Sequence, residues 1–186
     1  MSVQVTVIVI ICFFLLIKPF RYLLNLFLNE NESSLYKLAH LIGLTVLSIF
    51  LLVVMNDLTP EPTNLYQSDK ASLFLVGPLL MILTLYVTCL FLYLKNVVHY
   101  IQKFKTLIIV AQILLATVSI VKMGSNSSLL FKRLGGGPES PGSIIYEMPW
   151  INPYTTGLVF NGYLLVFLTS ITFFCAYMLN SKKSIK

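Results

Sequence analysis

Apolar residues in this chain form long unbroken runs rather than the spaced stripes of soluble helices or strands. Residues 74–94 and 157–179 contain no acid or base. Each run is long enough to cross a hydrocarbon core of about 30 Å, which takes roughly 20 helical residues. Both are apolar on every side, as a helix in lipid is and a helix on a soluble domain is not. The pattern predicts spans at 3–17, 35–55, 71–94, 106–121 and 155–179, none with a charge near its centre. The expected fold is therefore all-α, a polytopic transmembrane helical bundle of about five spans. The number falls to four if 106–121, at the low edge of crossing length, does not cross.

Polar segments punctuate the runs. Pro19 bends or ends the first, and 22–28 either lies in the interface or extends it. A polar break at 29–34, a Pro-containing loop at 58–70 and a basic connector at 95–105 follow. Gly77-Pro78 predicts a bend where the third span starts. The longest loop, 122–154, holds Gly135-Gly-Gly-Pro-Glu-Ser-Pro-Gly142, a density of glycine and proline that predicts a flexible, solvated turn. Trp150, Tyr146 and Tyr154 suit an interfacial aromatic belt. No internal repeat and no heptad pattern is visible.

Composition sharpens this picture. Hydrophobic residues make up 57% and charged residues 11%, against about 45–50% and 25% in soluble domains. Mean hydropathy is +0.85. The 186 residues make one membrane domain, with no room for a sizeable soluble one. The net charge of +6 would point a soluble chain toward nucleic acid. Here the basic residues cluster at the ends of apolar runs and point to topology and lipid headgroups.

Alternate loops differ in basic content. One side collects Lys18, Arg21 and Lys37, then Lys95, Lys103 and Lys105, then the tail lysines 182, 183 and 186. The other side holds only Lys70, Lys122, Lys132 and Arg133. Basic loops stay cytoplasmic, so five spans put the amino terminus outside or lumenal and the carboxyl terminus in the cytoplasm. The first run lacks a preceding basic segment and is followed by Lys18-Pro-Phe-Arg21 instead of a small-residue cleavage site, which predicts a retained signal anchor. Of two sequons, Asn31-Glu-Ser and Asn126-Ser-Ser, only Asn126 faces the lumen and offers an N-glycosylation site.

Candidate chemistry is sparse. Cys12, Cys89 and Cys175 all lie in apolar runs without metal-ligand spacing. His40 and His99 are both placed toward the cytoplasmic side, where interfacial hydrogen bonding is the simpler role. The Gly-rich loop lacks the order of a phosphate-binding loop. No catalytic set, cofactor or metal is expected. Small and uncharged polar residues say more: Gly157, Asn161, Gly162, Thr169 and Thr172 in the last span, Gln112, Ala116 and Ser119 in the fourth, Gly43 in the second. Such residues let helix backbones approach and bond across the contact. Gly157, Asn161, Gly162, Gln112 and Gly43 form the candidate face, either for internal packing or for a partner's helix.

Two resemblances attach to quoted residues. Gly43-Leu-Thr-Val-Leu-Ser-Ile-Phe-Leu-Leu-Val-Val-Met55 resembles the glycine-bearing helix of mitochondrial NADH–ubiquinone oxidoreductase chain 6, also a five-span family with a long loop before the last span. Leu38-Ala-His-Leu-Ile-Gly43 is similar to the histidine-opened helix of fungal endoplasmic-reticulum chaperones for amino-acid permeases. Neither is taken as membership. The expectation is a non-enzymatic, multi-pass accessory protein of the endoplasmic reticulum or early secretory pathway. Its partners would be the lipid bilayer and other integral membrane proteins, not nucleic acid. The alternatives are a membrane-arm subunit of a respiratory complex in the mitochondrial inner membrane, and a small lipid-modifying enzyme using His40 or His99.

Overall fold

A computed structural model describes residues 17–29, 31–59, 71–98 and 104–181, and among these the only regular structure is helical. The elements are α1 (17–28), α2 (Ser34–Asp57), α3 (Ala71–Val97), α4 (Lys105–Arg133), the short α5 (Thr156–Val159) and α6 (Gly162–Ser181). Four stretches are long and apolar enough to cross a membrane: Ser34–Asp57, Leu73–Val97, Thr106–Arg133 and Thr156–Leu179. The chain is thus an all-helical membrane bundle. The predicted span 3–17 lies outside the described residues except for Ile17.

Residues 17–28 are helical straight through Pro19, and Leu26 and Phe27 are buried in the main core. This segment therefore belongs to the bundle. Lys37, in the first turn of α2, is buried, and its Nζ donates to the Asn29 carbonyl at 2.6 Å. A cation there meets the negative end of α1 and ties the two helices at their junction. Ser33 caps α2, accepting from the Tyr36 amide at 3.2 Å.

In the bundle, α2 packs on α3, α3 on α6 and α6 on α4. The carboxyl ends of α2 and α4 and the amino end of α5–α6 meet around one cavity, so α2 and α4 run one way and α6 the other. The core lies along α3, where Leu79, Leu83, Tyr86, Cys89 and Leu90 are all buried. Pro78 stands inside α3 rather than at its start. Lacking an N–H, it leaves the Phe74 carbonyl without its helical partner. Hydroxyls in the bundle are satisfied locally: Ser48, Thr84, Ser119 and Thr172 each donate to the carbonyl four residues back, at 2.6–2.8 Å. That solves the problem of a polar group in lipid without any cross-helix bond.

The fourth span departs most from expectation. It does not end at Val121 but runs to Arg133, turning about a third of the expected loop into three more turns of helix. Lys122-Met-Gly-Ser-Asn-Ser-Ser reads as loop by hydropathy, yet small residues suit the contact with α6. Gln112, Ala116, Ser119, Met123, Ser127 and Leu130 are the less exposed side of α4, spaced by four, three, four, four and three. That spacing averages about 3.6, the period of a straight helix, but the seam is written mostly in small and polar residues, so no apolar repeat announces it. The other faces carry large exposed apolar side chains such as Leu107 and Val121, as lipid contact requires. Ser119 is the midpoint of α4, and Lys122 follows within one turn. The expectation that no span carries a charge near its centre therefore fails for α4.

Residues 134–155 are an ordered cap, not a flexible loop. Gly136 N–H bonds the Phe131 carbonyl at 2.8 Å and Gly135 N–H the Lys132 carbonyl at 3.4 Å, a Schellman ending to α4. Gly135 has φ +79°, and a Cβ there would stand 3.0 Å from the Gly142 carbonyl oxygen. Only glycine suits both demands. The cap then folds back, with Ile144 N–H on the Leu134 carbonyl at 2.9 Å, and buries a second small core of Leu134, Ile145 and Tyr154. Tyr154 is therefore a core residue and not part of an aromatic belt. Trp150 is exposed and packs edge-on against Phe131, with ring centroids 5.8 Å apart.

Candidate functional site

The cavity at the converging helix ends has a volume of about 910 Å³. From α2 it takes Ile49, Leu52, Val53, Asn56 and Asp57. From α4 come Asn126, Leu129, Leu130 and Arg133. Its floor is the broken helix α5–α6, with Gly157, Leu158, Asn161 and Gly162. The opening exists because α2 and α4 do not pack closely on each other, both being held by elements between them.

Local sequence explains the floor. Asn152-Pro-Tyr-Thr155 is a reciprocal capping arrangement: Asn152 Oδ1 accepts from the Tyr154 and Thr155 amides at 3.0 and 3.2 Å, and Thr155 Oγ1 accepts from the Asn152 amide at 3.0 Å. Proline in the position after the capping residue is already shaped for the first helical turn. Asn152, almost fully buried, also donates to the Pro149 carbonyl at 2.9 Å, so its amide is satisfied at both ends. The turn leads into α5, which breaks at Phe160. Asn161 then caps α6, accepting from the Tyr163 and Leu164 amides at 2.9 and 3.1 Å while donating to the Leu158 carbonyl at 2.6 Å. Broken helices at membrane depth are tolerated where they line protein or a polar cavity.

The end of α2 docks on this floor. Gly157 sits so close that a Cβ would stand 2.8 Å from Thr59 Oγ1 and 3.0 Å from Asn56 Oδ1. Thr59 and Thr156 hydroxyls meet at 3.1 Å. One further cross-helix bond joins Tyr86 Oη of α3 to Thr169 Oγ1 of α6 at 2.9 Å.

The expected face is thus only partly gathered. Gly157, Asn161 and Gly162 share the cavity, but Gly157 serves internal packing and the Asn161 amide is engaged as a helix cap. Gln112 is half-buried on the α4 seam, outside the cavity lining. Gly43 is exposed on α2, with open space where a Cβ would be. Thr172 bonds only its own helix, whereas Thr169 does bond across. Asn126, read as a loop sequon, lies on α4 and lines the cavity. Arg133 reads in the sequence, with Lys132, as a residue able to meet acidic headgroups, whereas Asn56 and Thr59 are not singled out as site residues. Their signal, polar residues just past span ends, is shared by every membrane helix.

Among the described residues the remaining candidates form no site. His40 Nδ1 bonds the Tyr36 carbonyl of its own helix at 3.0 Å, and the two rings meet edge-on at 4.4 Å. His99 and Cys12 lie outside the described residues. Cys89 is buried and Cys175 exposed, both as free thiols. Among the described residues no cluster of three or more His, Cys, Asp or Glu side chains is placed to hold a metal. No protein-family model, curated protein or solved structure matches the chain.

Proposed function

We propose that this is a non-enzymatic, multi-pass accessory protein of the endoplasmic reticulum or early secretory membranes, holding a partner or client membrane protein through its transmembrane surface. One observation carries the reading: the second half of α4 is polar, exposed and begins at the centre of a membrane-length helix. Lys122, Gly124, Ser125, Asn126 and Ser128 are all exposed there. Hydrocarbon solvates such a surface poorly, and ionisable groups at that depth face protein or water. Gly124 and Ser128 stand one turn apart on α4, and no atom lies within 4 Å of a Cβ built at Gly124. This is the small-xxx-small spacing by which membrane helices pack closely. Ser125 beside them supplies a hydroxyl for the same contact.

The residence in the reticulum rests on the first apolar run, which reads as a retained signal anchor. The basic bias of alternate loops supports a lumenal amino terminus and a cytoplasmic tail.

The test is Gly124→Leu with Ser128→Leu, followed by gentle-detergent purification and identification of what comes with the chain. A lost close contact should lower partner recovery about tenfold, the equivalent of roughly 1.4 kcal/mol. The thermal melt should stay unchanged, because this face packs on nothing in the chain itself. Undiminished recovery would remove the proposed face. Asn126 lies beside it, so a glycan there and a docked helix exclude one another. A glycosidase-induced mobility shift in the partner-bound chain would overturn the reading, and co-fractionation with mitochondria would move it to the respiratory alternative.

A further inference from the structure

We infer that the cavity between α2 and α4 is a binding site for the headgroup of a zwitterionic glycerophospholipid, phosphatidylethanolamine in kind. The inference stands on the cavity and not on the α4 docking face. Its lining is divided by chemistry. Two charges stand at the ends of two different helices, Asp57 closing α2 and Arg133 closing α4. Asn56 is next to the first, and Asn161 also lines the cavity. One or two turns further in, α2 presents Ile49, Leu52 and Val53, and α4 presents Leu129. Along α2 the lining is therefore polar at the bundle end and apolar toward its middle, in the same sense as a lipid in the adjoining leaflet, while α4 adds Asn126 beside Leu129.

Charge complementarity selects the headgroup. A guanidinium binds a phosphate through two parallel hydrogen bonds, which a point charge cannot do. A carboxylate on the facing helix suits the primary ammonium one short linker away from that phosphate. The two lining charges sum to zero, so an anionic headgroup would satisfy Arg133 and be repelled by Asp57. A neutral diacylglycerol has no phosphate for Arg133 and no ammonium for Asp57, both of which are exposed at the cavity. The volume falls within the roughly 300–1,000 Å³ of small-molecule sites. The acyl chains would leave along the apolar side of α2, past Ile49 and Val53, into the bilayer.

The test uses the full chain, delipidated in mild detergent and offered equal amounts of dioleoylphosphatidylethanolamine, dioleoylphosphatidylglycerol and dioleoylglycerol, with retained lipid read by native mass spectrometry. The expected result is one phosphatidylethanolamine per chain, held over the other two. Arg133→Gln should reduce its retention about tenfold, the loss of one charge-assisted contact. Asp57→Asn should shift the preference toward phosphatidylglycerol. Lys132→Gln, exposed beside the site but outside its lining, should change nothing. Should either charge variant fail to fold, Asn126→Trp fills the cavity from an exposed helix position and should expel the lipid. Equal retention of all three lipids, or variants that keep wild-type retention, would show annular lipid only and overturn the inference. Partner recovery is read separately, so a failed lipid test leaves the α4 docking face standing, and the reverse.

Discussion

Helices α3 and α4 are near equals in length and in the hydropathy of their most apolar stretches yet hold opposite places in the molecule. Of the most apolar window of α3, 39% is buried; in α4 the figure is 6%. The first is packed on two sides, by α2 and α6, through large residues such as Leu79, Leu83 and Leu90. The second is held along its length mainly by α6, through a seam of small and polar residues. In water the more apolar helix would sink to the centre. In lipid that force is absent between helices, and shape decides instead. Hydropathy says that a helix crosses, and says nothing about what it touches.

Three single substitutions and one double-mutant cycle can break or sharpen this contrast. Leu79→Ala in α3 should cost about 2–5 kcal/mol, the usual effect of emptying a core position. Leu114→Ala on the lipid side of α4 should fall within about 0.5 kcal/mol of wild type. Thermal unfolding in one detergent compares them, and equal losses would mean that α4 is not peripheral. Ser119→Leu comes next, since the seam has no space for a branched side chain at a buried position. It should cost about 1–3 kcal/mol by overpacking, with α4 becoming accessible to proteolysis first. A melt unchanged by this substitution would show that small residues do not set the α4–α6 approach. A small effect also belongs to the Tyr86–Thr169 bond, where a double-mutant cycle of Tyr86→Phe and Thr169→Val should give a coupling of about 0.6 kcal/mol, typical of hydrogen bonds between membrane helices. No coupling would leave α3 and α6 joined by packing alone.

Much of the architecture was readable in advance, unevenly. Expected spans 35–55 and 71–94 differ from Ser34–Asp57 and Ala71–Val97 by a few residues, because hydropathy is a local sum and these helices end where it falls. The same rule misplaced the end of α4, where Gly124, Ser125, Ser127 and Ser128 look like loop but remain helical beside α6. The cap at 134–155 was legible in pieces. Gly135-Gly136 after Arg133 is a helix stop, and Asn152-Pro-Tyr-Thr155 a helix start, but the glycine and proline between them hid the Ile145–Tyr154 core. Asn161 was noticed for the right reason, a polar side chain at membrane depth. Its task turned out to be capping, which becomes visible only once the helix is seen to break at Phe160.

What the sequence alone determined is the solvent and the number of membrane-length helices among 31–181, because those depend on residues close together in the chain. Tertiary structure decided which helix lies at the centre, that Lys122 stands near the middle of α4, and that Asp57, Asn126, Arg133 and Asn161 surround one cavity. Those facts depend on the register of helices distant in sequence. That register is set by how closely small residues such as Gly157 and Ser119 let two backbones approach.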